Sequence, residues 1–264
     1  MSSVVKSGVD ILAIAAHRDD AEQTCGGTLL KMAQRGYRTG ILDLTQGEMG
    51  TRGTANDRAR EAAEAARILQ VCWRQALDIP DARVENTLEN RIKIARVIRE
   101  LRPRVVILPY WQGRHPDHYT TSTLGYEACF LAGLSKLPIR ARDVVEYAHV
   151  SPRQQSPTET SELPAHRPFK IIYSTLYFDV RPTFIVDISE QFEARLQSLL
   201  AYKSQYSDQE AGKDLFPAKA EVRARVESMA RFYGILAGVT YGEPFLQKEV
   251  GLVDDLTAIP VRSI

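Results

Sequence analysis

The 264-residue chain carries 34 Lys and Arg against 33 Asp and Glu, a net charge of +1, and 44% of its residues are hydrophobic. This composition supports a substantial core, argues against disorder and gives no electrostatic case for nucleic acid or an anionic membrane; a small-molecule substrate is expected. The first apolar run, residues 11–16, is too short for a signal-peptide core or a membrane span, and Cys25, Cys72 and Cys129 lack CxxC spacing, which fits ordinary thiols in a reduced cytoplasm.

Strand-like runs at residues 11–16, 39–44, 75–78 and 105–108 alternate with helical patterns. Asn56 is placed to cap a helix over 58–69, whose alanines suit close packing on a sheet. Leu88, Ile92, Ala95 and Ile98 recur at helical spacing, and that helix should end at Leu101, before Pro103. Another runs from near His118 to about Leu131. Residues 136–168 form a polar excursion rich in Pro, Ser, Thr, Arg and Glu, in which His149 and His166 read as solvated. Strand signals resume at 171–178 and 183–187, followed by helices over 190–202 and 220–233. The alternation predicts an α/β fold, a Rossmann-like and mostly parallel sheet with helices on both faces and an elaborated C-terminal third. With no repeat or linker in view, residues 1–264 read as a single domain.

Two short clusters carry the chemistry: His17-Arg18-Asp19-Asp20 directly after the first strand, and His115-Pro116-Asp117-His118 a few residues after the fourth. Open parallel sheets bind ligands outside the carboxyl ends of strands where strand order reverses, so the clusters converge if these two strands flank that point. Together they offer three histidines and three aspartates, whereas a hydrolytic zinc site uses three protein ligands and keeps one position for water. The surplus suits a hydrolase, which also needs a carboxylate base and a proton donor for the leaving group. Each cluster alone has a plainer reading: Asp19 or Asp20 as a helix cap, and His-Pro-Asp-His as a turn opening the next helix. Which of Asp19 and Asp20 would bind metal is open at this level.

These residues resemble the LmbE-like (PIG-L) zinc-dependent N-acetylglucosamine deacetylases. The first motif of that family, Ala-His-Pro-Asp-Asp, stands here as Ala16-His17-Arg18-Asp19-Asp20, and the second matches at residues 115–118. Further stretches at 44–53, 58–71, 201–206 and 241–245 look most like the N-acetylglucosaminyl-malate deacetylases of bacillithiol biosynthesis, and only the excursion falls outside the likeness.

The resemblance implies that His17, Asp20 and His118 bind Zn2+, with Fe2+ an alternative in vivo, and that Asp19 is the general base. It makes His115 the companion acid or electrostatic stabiliser, oriented by Asp117. It implies removal of the N-acetyl group from an N-acetylglucosamine conjugate, most specifically the malate conjugate, by a cytoplasmic homo-oligomer with a hexamer as leading guess. Arg52 and Arg114 are candidate cations for the malyl carboxylates, and Tyr177 is a candidate pocket wall. The alternatives are another conjugate, such as a mycothiol-type precursor, a thiol conjugate or a chitin fragment, or a non-catalytic nucleotide-binding or regulatory module. Against the latter, residues 24–28 have glycines but neither a GxGxxG nor a P-loop lysine pattern. One departure stands out: Arg18 replaces the family proline, which removes a φ constraint and adds a long cation bound for solvent or substrate.

Overall fold

The computed structural model describes residues 8–141, 162–176, 179–206, 219–259 and 261. The first half alternates as expected: β1 (Ile11–Ala15), α1 (Asp20–Thr24), α2 (Gly26–Gln34), β2 (Thr39–Asp43), α3 (Ala55–Ile68), β3 (Trp73–Ala76), α4 (Leu88–Leu101), β4 (Val105–Pro109) and α5 (Pro116–Ala132). There follow β5 (Lys170–Ser174), β6 (Phe184–Asp187), α6 (Phe192–Leu200), the single turn α7 (Lys203–Tyr206), α8 (Lys219–Leu236) and β7 (Gly242–Leu246). The strands form one seven-stranded sheet in the order β3-β2-β1-β4-β5-β7-β6. β3 to β5 run parallel, while β7 pairs antiparallel with both β5 and β6. The expected fold class is the observed one. No described helix is long and apolar enough to cross a membrane.

Alternation along β1 sorts the core into two layers. Leu12 and Ile14 pack with Ile94, Ile98, Leu108 and Leu124 on the α4/α5 side, whereas Ile11, Ala13 and Ala15 pack with Leu29, Leu30, Ala66 and Phe245 on the other. A Cβ on Gly125 would lie 2.4 Å from the Leu108 side chain, so glycine is what lets α5 approach β4.

The helix ends show which local signals prevail. Thr54, rather than Asn56, caps α3, in a capping box with Asp57, and α4 ends at Leu101 with Arg102 left-handed at φ 52°. β7 lacks the usual strand signature because it contains Gly242, Glu243 and Pro244. Its Glu243 is 1% exposed and accepts from Gly27 N at 2.8 Å and Thr28 N at 2.7 Å, so a carboxylate from the far end of the chain satisfies the α2 N-terminus.

The centre of the polar excursion, residues 142–161, and with it His149, lies outside the described residues. Its ends are tied down. Leu163 N donates to Ile139 O, and buried Arg99 donates to the carbonyls of Ala132, Leu134, Leu137 and Leu163. His166 is half-buried and bonds Pro103 O at 2.7 Å, which corrects the expectation of a solvated side chain.

Candidate metal centre

Strand order reverses between β1 and β4, which pair directly. His17 lies just past the carboxyl end of β1 and residues 115–118 just past that of β4, so both clusters reach one crevice. His115 is the N-cap of α5 with Pro116 in its first turn; Asp117 N donates to His115 Nδ1 and His118 N to His115 O. The cap reading and the site reading of this cluster therefore hold together: the cap fixes the face on which His118 emerges.

Three donor groups meet at the centre. His17 Nδ1 is 3.3 Å from His118 Nε2, His118 Nε2 is 3.2 Å from Asp20 Oδ1, and His17 Nδ1 is 3.5 Å from Asp20 Oδ2. Ligands about 2.0–2.1 Å from a tetrahedral ion stand about 3.3–3.4 Å from one another, so the donors fit a small divalent cation. The opposite ring nitrogen, His17 Nε2, faces Asp81 Oδ1 at 3.1 Å and Asp117 Oδ2 at 3.2 Å. That is the outer-shell arrangement of a metal-ligating imidazole, in which a carboxylate holds one N–H and directs the other nitrogen inward.

Two other groupings share these residues: His17 with His115 and His118, and His17 with Asp81 and Asp117. In the second, Asp117 already accepts from Ala82 N and Val84 N, and Asp81 from Met49 N and Ala82 N, which marks them as orienting groups. In the first, Nδ1 of His115 is engaged by Asp117 N. His17, Asp20 and His118 form a further grouping, in which Asp20 Oδ2 also accepts from His17 N at 2.9 Å.

The charges agree. Burial works against a charged His17, yet its hydrogen bonds to Asp117, Asp20 and Asp81 push it up to about 12. Burial likewise opposes ionised Asp20, but His118 and His17 hold it well below the usual carboxylate range. The anionic surplus around His17 suits a cation. Burial pushes Asp19 up to about 6 against the pull of Arg58, and burial raises the Cys25 thiol, leaving it protonated and unsuited to be a ligand. His115 is lowered by burial and by the neighbouring His17 and His118, so it is neutral near pH 7.

Asp117 lies in the cluster, but its carboxylate turns to His17; its contact with His115 runs through its backbone N–H. Asp117 thus meets His115 through its main chain and His17 through its side chain. Arg18 does not point to solvent. It is 2% exposed and donates from Nη1 to Ala55 O at 2.7 Å, tethering the motif to the first turn of α3. Arg52, 4% exposed, donates to Gln205 O at 3.2 Å and its own carbonyl accepts from Gln205 Nε2 at 2.7 Å. Arg114 is exposed beside His115, and Tyr177 lies outside the described residues.

Three residues of the site carry little or no signal in the sequence. Asp81 follows β3 in a Pro-Asp turn, and a carboxylate just past a parallel strand was the available signal. Arg58 shares the buried face of α3 with Ala62, Ala65 and Ala66, where a cation on an alanine stripe is anomalous; its Nη2 donates to Asp19 Oδ1 at 3.2 Å and also to Arg18 O. Tyr206, whose hydroxyl donates to Asp19 Oδ2 at 2.7 Å, lies in the 201–206 stretch that carries the resemblance, but nothing in its local pattern marks it as a partner of Asp19.

Comparison with known proteins bears on this geometry. Residues 12–129 match the family described as GlcNAc-PI de-N-acetylase (PIG-L), the segment that holds every residue of the centre except Tyr206. The structure of the conserved protein TT1542 from Thermus thermophilus is 36% identical, with a TM-score of 0.76 over 93% of this chain and 98% of that one. The chain belongs to the PIG-L family. It is also similar to the N,N'-diacetylchitobiose deacetylase of Pyrococcus horikoshii, 25% identical with a TM-score of 0.71 over 89% of this chain and 82% of that chain. The diacetylchitobiose deacetylase of Thermococcus kodakarensis is 29% identical over 88% of this chain and 80% of that protein.

Proposed function

We propose that this PIG-L protein is a metal-dependent N-deacetylase that hydrolyses the acetamide of an N-acetylglucosamine conjugate. The observation that carries the reading is the convergence of His17 Nδ1, Asp20 and His118 Nε2 at tetrahedral-edge distances beside the buried carboxylate of Asp19. His17, Asp20 and His118 would hold the ion, and an N/O donor set suits zinc or ferrous iron. A divalent ion bound there supplies Lewis-acid polarisation of a carbonyl and lowers the pKa of water.

The remaining steps belong to the chain's own groups. Asp19 accepts the proton of the attacking water, a role suited to a carboxylate that takes no part in orienting His17. His115 accepts from Asp117 N at Nδ1, which leaves its proton on Nε2 to donate a hydrogen bond to the developing oxyanion, while the proton taken up by Asp19 passes to the departing nitrogen. A cavity of about 30 Å³, lined by Ala15, Ala21, Cys25, Ile107, Asp20 and His118, adjoins the donor set and has room for a methyl-sized group. It supports acetyl as the acyl group that leaves.

For the remainder of the substrate the reading extends to a malyl conjugate, with exposed Arg114 beside His115 as the cation that favours it. A neutral aglycone is the competing reading, supported by the likeness to deacetylases named for diacetylchitobiose. The test is carboxylate release by the zinc-loaded protein: acetate from N-acetylglucosaminyl-malate and from N,N'-diacetylchitobiose, and butanoate from the butanoyl analogues of both. Release from an acetyl substrate, suppressed by chelator and much slower for butanoyl, supports the deacetylase. A preference for the neutral disaccharide removes the malyl assignment, and no release from either removes the function.

A further inference from the structure

Asp19 stands before α1 at φ 108° and ψ −20°, a conformation strained for a non-glycine residue. Although it occupies the N-cap position, its side chain makes no capping bond to its own helix. Nothing local therefore sets the direction of its carboxylate, and the groups that do come from elsewhere in the fold. Arg58 on α3 reaches Oδ1 at 3.2 Å, and the Tyr206 hydroxyl at the end of α7 reaches Oδ2 at 2.7 Å.

The two contacts do different work. Arg58 also donates to Arg18 O, so it holds the strained backbone as well as the carboxylate. The Tyr206 hydroxyl has one polar partner among the described residues, and that partner is Asp19. Its place is set by a turn fastened at successive residues. Ser204 donates from N and Oγ to the Glu61 carboxylate at 2.7 and 2.6 Å, and Gln205 exchanges hydrogen bonds with Arg52. Burial and the adjoining carboxylate raise the Tyr206 phenol well above its ordinary range, so it remains a donor at every working pH.

We propose that Tyr206 is a positioning residue for the reaction: by donating to Asp19 Oδ2 while Arg58 takes Oδ1, it fixes the rotation of the base, leaving lone pairs of both oxygens for the attacking water. The proposal rests on the reading of Asp19 as base. A carboxylate oxygen accepts two hydrogen bonds, so each clamped oxygen keeps capacity for a water, and the gain is in orientation rather than in binding.

The test is Tyr206→Phe, which keeps the ring and removes only the donor, with Tyr202→Phe as control because that equally placed phenol bonds Glu22 and not Asp19. In acetate release from diacetylchitobiose or the malate conjugate, Tyr206→Phe should lower kcat about tenfold, with KM within about twofold and zinc content unchanged. Tyr202→Phe should lower the melting temperature and leave kcat within about twofold. Unchanged kcat in Tyr206→Phe, a rise in KM alone, or loss of zinc each overturns the proposal. A readout independent of turnover is the Asp19 rotamer in crystals of the zinc-loaded Tyr206→Phe protein. Rotation of the carboxylate is expected, and an unmoved carboxylate overturns the positioning role. If the wild-type protein releases no acetate, the functional reading has failed, and the rotamer still decides whether Tyr206 sets Asp19.

Discussion

Replacing Asp117 by asparagine separates two assignments of that carboxylate. Its Oδ2 accepts from His17 Nε2 at 3.2 Å and Ala82 N at 2.9 Å, and its Oδ1 from Val84 N at 3.3 Å. Asparagine keeps the shape but presents one acceptor oxygen, so its NH2 must face either an N–H of the 82–84 turn or the imidazole N–H, and the negative charge behind His17 is gone. Loss of such an outer-shell partner weakens metal binding about 10–100-fold, which is about 1.4–2.7 kcal/mol. Because Asp81 Oδ1 still holds the same nitrogen at 3.1 Å, the lower end applies: about a tenfold loss for Asp117→Asn, approaching about 100-fold when Asp81→Asn is added. Zinc affinity measured by competition with a chromogenic chelator reads this directly. Under saturating zinc the same change removes about 1.4 kcal/mol of metal-induced stabilisation, visible as a smaller thermal shift. If the carboxylate served His115 instead, kcat would fall with zinc affinity unchanged, and that result refutes the assignment to His17.

Arg74→Met should be among the most destabilising single changes, because the fully buried guanidinium bonds Asp43 at 2.9 and 3.0 Å and Glu22 at 2.5 Å. Stranding those carboxylates costs about 3–5 kcal/mol, or on the order of 10 °C in melting temperature for a chain this size; a fall under about 3 °C contradicts it. Arg18→Met removes a charge-assisted bond to Ala55 O and the attraction of Asp43 but relieves the burial of a charge and repulsion from Arg74 and Arg58, so urea denaturation should show a net loss of only about 1 kcal/mol. A raised KM with unchanged stability would instead make Arg18 a substrate contact. Glu100, near the C-terminal end of α4, is pushed up to about 7 by burial, from 4.5 in the unfolded chain. The folded state then holds the extra proton between those values, so this group's contribution to stability declines as pH rises from about 4.5 to about 7 and is flat above. Glu100→Gln should stabilise the protein relative to wild type by about 1–2 kcal/mol at pH 8, after allowance for partial exposure, and by little at pH 4. Equal effects at both pH values contradict the shift.

Local periodicity and punctuation determined the alternating elements, the parallel class of the sheet and the two histidine-bearing clusters past β1 and β4. These are short-range properties, set by residues that are neighbours in the chain. Elements whose reason for existing is remote were less legible. β7 contains Gly242 and Pro244 yet forms because Phe245 and Glu243 satisfy β6, β5 and the α2 N-terminus across the fold. The centre divides in the same way. His17, Asp20 and His118 could be listed from their motifs, but which nitrogen faces which carboxylate depends on strand order, and the β1–β4 pairing decides it. Asp117 turned out to serve His17 because the turn at 82–84 presents two N–H groups from 33 to 35 positions away. Arg18 found Ala55 because α3 packs against the motif, and Asp19 is clamped by Arg58 and Tyr206, which are 39 and 187 positions distant. A sequence states which donors and acceptors exist; only the packed chain, which must pair nearly all that it buries, decides how they are matched.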